Sequence, residues 1–136
     1  MRRVVITGMG VVSSLGCDLK KFWERNINGV SGIGRVTRFD ISGYPCQIGG
    51  EVKEFDIDSF MSKKDQRRND AFCHYAVAAA KMAIADSGID FSKVDPTRAG
   101  VIIGSGIGGL RSLEIQHDIL RTKGPDKCSP FMIPQM

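Results

Sequence analysis

Residues 99–110 read AGVIIGSGIGGL, and this stretch decides the fold class. Residues 99–103 end in three consecutive branched apolar side chains, which is typical of a strand buried in a parallel sheet. A glycine-rich turn follows at 104–109, and the apolar spacing from Leu110 to Arg121 predicts a helix after it. A strand that passes through a tight turn into a helix is the building unit of an α/β protein.

A second buried strand is predicted near the N-terminus, where Val4–Ile6 runs into a glycine turn. Asp18 is placed to cap a helix that Gly29 ends. Residues 29–43 are rich in Gly, Ser and Thr, which predicts a loop. A weak strand is expected at 46–52, and a short helix at 56–61.

The strongest helix prediction begins at Asn69 or Asp70 and stops at Ser87-Gly88. Its many alanines allow close backbone approach, so we expect this helix to be sandwiched between neighbours rather than half-solvated. The Pro-punctuated segment 124–136 is predicted as a loop. Two clear strands and two or three helices indicate an α/β class whose sheet is incomplete within this sequence.

Composition narrows the class of protein. The 136 residues are 42% hydrophobic and carry a net charge of +4, which suits one globular domain and permits an acidic partner without requiring nucleic acid. No apolar run reaches the roughly 18 residues that a membrane span needs. The four cysteines lack CxxC spacing, which argues against zinc and fits free thiols in the cytoplasm.

The glycine turn at 104–109 matches the GxGxxG pattern of dinucleotide-binding loops. The acidic residue expected about 20 positions later is missing, and Gly124-Pro125 stands there instead. The turn therefore has two open interpretations: a nicotinamide or flavin site in an oxidoreductase, or small residues that let a strand and a helix pack closely.

A basic run contains Lys63, Lys64, Arg67 and Arg68, which form two i,i+4 pairs on one helical face. Such a face is either merely solvated or a docking surface for an acidic protein or phosphate.

No nucleophile stands out from the residues alone. His74 and His117 are isolated, and Cys73 lies within the alanine-rich helix, where it reads as a small buried apolar residue. We therefore predict no catalytic residue and no metal site.

Four stretches together resemble a known family. They are residues 3–16 (RVVITGMGVVSSLG), Gly32-Ile33 with Phe39-Asp40, residues 67–88, and residues 103–110 followed by Ser129-Pro130-Phe131. In this order and at these spacings they are similar to the opening of the elongating β-ketoacyl-acyl carrier protein synthases, closest to the type II enzymes. The resemblance covers residues 1–136, which we interpret as the N-terminal part of a truncated synthase domain.

The resemblance implies a thiolase-like fold with layered αβαβα architecture, of which this chain is the incomplete N-terminal half. It also implies a homodimer that needs no cofactor and catalyses the decarboxylative condensation of malonyl- and acyl-carrier protein in fatty acid elongation. The family's nucleophilic cysteine and two histidines lie beyond this chain, so it contributes no catalytic residue. A non-catalytic module that binds carrier protein is the alternative.

The resemblance also implies binding residues. Ile107 and Met132 correspond to walls of the acyl pocket. Four basic residues match positions that meet the acidic acyl carrier protein: Lys64, Arg67, Arg68 and Lys127. Asp126 departs from the family pattern, which often has arginine there.

Overall fold

The computed structural model describes residues 3–136. Its regular elements are α1 (Leu19–Ile27), β1 (Ile33–Arg35), β2 (Ile48–Gly50), α2 (Lys63–Gln66), α3 (Ala71–Ser87), α4 (Leu110–Lys123) and α5 (Met132–Gln135). Single 3-10 turns lie at Ile57–Ser59, Phe91–Lys93, Pro96–Arg98 and Pro125–Lys127. The chain divides into two compact units. One holds the chain up to Asp56 with Ala79–Gly88, and the other holds Ile57–Ala78 with Ile89–Met136.

Helix α1 forms where the sequence predicts it. The Asp18 carboxylate accepts a hydrogen bond from the Lys21 N–H at 2.8 Å, which satisfies one of the free donors of the first turn. After the last turn, Gly29 adopts a φ of +65°, a conformation that glycine enters at little cost.

A small antiparallel hairpin belongs to the same unit, with Ile33 opposite Gly50 and Arg35 opposite Ile48. Strand β2 confirms the weak strand expected at 46–52. The loop predicted for 29–43 is wrong at β1, because a strand this short and rich in glycine carries no apolar alternation to reveal it.

Close backbone approach to the alanine-rich helix α3 is confirmed, but the sandwiched position predicted for it is wrong. Within α3 only Ala78 is buried, and Ile84 is 44% exposed. In the first unit, a β-carbon at Gly8 would collide with the carbonyl oxygen of Ala83, and one at Gly10 with that of Ala79. Glycine is required at both positions because the backbone itself touches the helix.

Neither predicted buried strand forms. Residues 4–6 and 101–103 are assigned no strand, and their branched side chains are largely exposed, up to 100% for Ile102. An extended apolar run becomes a strand only when a neighbour pairs with its N–H and C=O groups, and none does so within residues 3–136.

The loop predicted for 124–136 is also wrong in part, since it contains a 3-10 turn and helix α5. Pro134 is compatible with α5 because it lies in the first turn, where its missing N–H would have no helical partner. Helix α4 extends to Lys123, two residues past the predicted end, and Gly124 ends it with a φ of +88°. The short helix expected at 56–61 is the 3-10 turn Ile57–Ser59.

Candidate functional site

The second unit carries an exposed basic surface, defined here as Lys64, Arg67 and Arg68. It lies on α2 and the residues directly after it. Ser62 begins α2 by accepting a hydrogen bond from the Asp65 N–H at 3.2 Å. The predicted helical face forms only in part, because α2 ends at Gln66 and leaves Arg67 at its C-cap and Arg68 in the turn that follows.

Lys63 is not counted in the basic surface, because its charge is already paired. Its ammonium lies 2.6 Å from the Asp58 carboxylate. Hydrogen bonds from Lys63 and Gln66 lower the pKa of Asp58 and outweigh the opposing effect of desolvation. Among the described residues, no ion pair involves Lys64, Arg67 or Arg68, so their positive charges remain uncompensated toward solvent.

Helix α5 is attached to the basic surface at both of its ends. The Gln135 side-chain amide donates to the Arg67 carbonyl at 3.1 Å. The Arg68 guanidinium lies over the Phe131 ring, with Cζ 5.0 Å from the ring centroid, which is a cation–π contact. The segment that carries Met132 thus contacts the residues predicted to meet a carrier protein.

The glycine turn at 104–109 packs against the other side of this segment. The Gly109 N–H donates to the Met136 carbonyl at 3.3 Å. A β-carbon at Gly109 would lie 2.7 Å from the Gln135 carbonyl oxygen. Gly108 has a φ of +76° and donates to the Ser105 hydroxyl at 3.0 Å. The close approach is therefore to the end of α5, and the preceding strand, which both the dinucleotide loop and the strand–helix packing require, does not form here.

The two predicted acyl-pocket residues lie on these contacting segments. Ile107 is on the glycine turn with its side chain 72% exposed. Met132 begins α5 and is half-buried. Their segments meet through the hydrogen bond between Gly109 and Met136. No described contact links Lys127 to the basic surface; it is exposed, in the 3-10 turn beside α4.

Asp70 is a structural residue that sequence reasoning did not single out beyond its place at a helix start. Its Oδ2 accepts from the Ser112 N–H at 3.1 Å and from the Ser112 hydroxyl at 2.6 Å. Its Oδ1 accepts from the Ala71 N–H at 2.5 Å. The N-cap of α4, Gly109, has no side chain, so Asp70 supplies the missing cap from a distant part of the chain.

The hydrogen bonds to Asp70 hold it ionised. Partial burial acts to raise the pKa of Asp70, but the hydrogen bonds from Ser112 and Ala71, with the nearby Arg111 charge, outweigh it and lower the pKa below the ordinary value. The carboxylate also lies at the N-terminal turn of α4, where the helix dipole favours a negative charge.

Cys73 and His74 are structural in this arrangement. Burial and the Asp70 charge raise the pKa of the Cys73 thiol, so it stays protonated and weakly nucleophilic. The His74 Nε2 atom lies 3.1 Å from the Gln66 carbonyl oxygen.

None of the helices within residues 3–136 is long and apolar enough to cross a membrane. Over the same residues, no group of three or more His, Cys, Asp or Glu side chains is arranged to hold a metal ion.

Comparison with known proteins gives the class. The family model described as the β-ketoacyl synthase N-terminal domain matches residues 1–136, and the chain belongs to this family. The solved structure of the ishigamide ketosynthase/chain length factor superimposes with a TM-score of 0.85 at 28% identity, over 98% of this chain and 34% of that one. The fold is therefore the N-terminal part of the thiolase-like ketosynthase fold, as the resemblance implied.

More specific relatives share one name. The chain is 47% identical over 99% of its length to 3-oxoacyl-[acyl-carrier-protein] synthase 2 of Synechocystis sp. (strain ATCC 27184 / PCC 6803 / Kazusa), covering 32% of that protein. It is 45% identical over 99% of its length to the protein of the same name from Staphylococcus aureus (strain COL), covering 33% of it. The chain thus spans about a third of the length of these relatives.

Proposed function

We propose that the protein containing this chain is a 3-oxoacyl-acyl carrier protein synthase that elongates fatty acids. The observation that carries this proposal is the match to relatives of that one name at 47% and 45% identity, over almost the whole chain. The exposed basic surface supports it, because acyl carrier protein is acidic and oppositely charged surfaces favour association.

The proposed reaction has two stages. An acyl group passes from its carrier thioester to an enzyme cysteine thiolate, which releases the carrier thiol. Malonyl-carrier protein then loses carbon dioxide, and the resulting carbanion attacks the acyl thioester. A carbon–carbon bond forms, and the cysteine thiolate leaves. We propose that this chain supplies binding groups to the reaction and no catalytic residue.

The carrier protein is proposed to dock on Lys64, Arg67, Arg68 and Lys127. Guanidinium groups suit this role because their planar donors pair with carboxylates in a bidentate manner. Asp126 adjoins Lys127, so we expect Lys127 to contribute less than the three residues of the basic surface.

Ile107 and Met132 are proposed to line the pocket that receives the acyl chain. Both are apolar, and both lie on segments that touch one another through Gly109 and Met136. A branched residue at 107 limits the space for the chain, so Ile107→Ala is expected to increase the turnover of longer acyl substrates relative to shorter ones.

The docking proposal is tested by comparing two adjacent lysines in the complete natural protein. Lys64→Gln removes an uncompensated charge, whereas Lys63→Gln removes one already paired with Asp58. We expect Lys64→Gln to weaken carrier binding about two- to five-fold at low salt, and Lys63→Gln to weaken it less. Equal effects of the two changes would contradict the assigned surface.

The activity is tested by supplying the complete protein with acyl- and malonyl-carrier protein and measuring 3-oxoacyl product and carbon dioxide. Carrier binding without product would instead support the non-catalytic binding module. We also propose a homodimer, as the family resemblance implies, which light scattering can test. A cytoplasmic location is proposed because the four cysteines are free thiols.

A further inference from the structure

The contact between Arg68 and Phe131 places a charged docking residue directly on an apolar segment. The guanidinium carbon lies 5.0 Å from the ring centroid, while the Phe131 side chain stays 42% exposed. A guanidinium carries five N–H donors, so contact with one ring does not use all of them. Arg68 can therefore bind a carboxylate and hold the ring at the same time.

Phe131 in turn sets the start of α5. It is the residue immediately before Met132 and occupies the N-cap position of the helix. The other end of α5 is tied to the neighbouring backbone, because the Gln135 amide donates to the Arg67 carbonyl at 3.1 Å. Residues 67–68 thus contact both ends of the segment that carries Met132.

The same helix reaches the glycine turn. The Met136 carbonyl accepts from the Gly109 N–H at 3.3 Å, two residues after Ile107. One contiguous set of contacts within the second unit therefore joins the basic surface, α5 and the glycine turn. Such a set is able to carry energetic coupling, and only a measurement of coupling establishes that it does.

We propose that Arg68 is a positioning residue that couples carrier docking to the placement of the acyl-pocket wall. Carboxylates of the carrier accept hydrogen bonds from the guanidinium and restrain it over Phe131, which sets the position of Met132. This inference rests on the proposed function, because it takes the basic surface as the dock and Met132 as the wall.

The coupling is tested in the complete natural protein labelled with 13C at the methionine methyl groups. Apo acyl carrier protein is titrated to saturation while the Met132 methyl resonance and the affinity are recorded. We expect the Met132 signal of the unchanged protein to shift on saturation. Arg68→Lys keeps the charge but replaces the planar guanidinium over the Phe131 ring by a flexible ammonium group. It is expected to weaken binding about two- to five-fold and to abolish the Met132 shift at saturation.

Two further variants separate coupling from charge. Phe131→Leu keeps every basic residue, so we expect carrier binding to persist while the Met132 shift is lost. Lys64→Gln, whose site makes no described contact with α5, is expected to weaken binding and leave the full Met132 shift at saturation.

The possible failures are distinguishable. If the unchanged protein does not bind the carrier, the docking function is wrong and this inference falls with it. If the protein binds but Met132 does not respond, or if Arg68→Lys and Phe131→Leu respond as fully as the unchanged protein, the coupling alone is overturned. Because the unchanged protein by itself can refute the inference, the test does not depend on the folding of any variant.

Discussion

Asp70→Asn is expected to destabilise the second unit, because Asp70 caps the N-terminus of α4 from a distant part of the chain and asparagine caps it less well. The carboxylate accepts from the Ala71 N–H on one oxygen, and from both the Ser112 N–H and hydroxyl on the other. An asparagine has a single carbonyl oxygen and a donor in place of the second acceptor. The asparagine oxygen can accept from either Ala71 or Ser112 but not from both, and the amide NH2 then faces the donor of the other residue.

The cost follows from the charge-assisted character of these bonds. A hydrogen bond to a charged group contributes about 1.5–3 kcal/mol, and removal of an N-cap costs about 1 kcal/mol. We therefore expect Asp70→Asn to lower the free energy of unfolding by about 2 kcal/mol, because one acceptor survives.

The assay is urea denaturation at neutral pH followed by far-ultraviolet circular dichroism. Asp126→Asn is the matched control, since Asp126 is exposed and forms no hydrogen bond or ion pair within residues 3–136. Its effect is expected to stay within about 0.5 kcal/mol. An effect of Asp70→Asn as small as that of the control would refute the role assigned to the cap.

The remaining predictions concern pH, charge, packing and activity. The folded-state pKa of Asp70 is lowered, so its contribution to stability is present above the ordinary value of 3.8 and is lost as the pH falls through the lower folded value. The free energies of unfolding of the wild type and of Asp70→Asn should therefore converge in acid when denaturation is measured at several pH values. A difference that stays constant with pH would contradict the lowered pKa. Arg67→Glu with Arg68→Glu should weaken carrier binding at least about tenfold at low salt and much less at high salt, as measured by calorimetry; an effect that salt does not change would argue against electrostatic docking. Gly109→Ala should destabilise the chain in thermal unfolding, because its β-carbon would lie 2.7 Å from a backbone oxygen, while the open position Gly104→Ala serves as the control. The 136-residue chain alone should yield no 3-oxoacyl product from acyl- and malonyl-carrier protein. Any turnover by the pure chain would contradict the proposal that the catalytic residues lie outside it.

The sequence by itself determined the features that depend on near neighbours. Asp18 and Gly29 mark the ends of α1, and the alanine pattern marks α3, because caps and apolar periodicity act within a few residues. The basic run could be predicted for the same reason, since its four residues are close together in the sequence. The family, too, could be identified from motifs in their order along the chain.

Only the tertiary structure decided the contacts that connect distant segments. Asp70 meets Ser112 across 42 positions, and Gln135 meets Arg67 across 68. No local sequence pattern predicts either pair, because each forms only when the tertiary fold brings two distant segments together. The same reason explains the predicted strands at 4–6 and 101–103: an apolar run is read locally, but a strand exists only where another strand pairs with it.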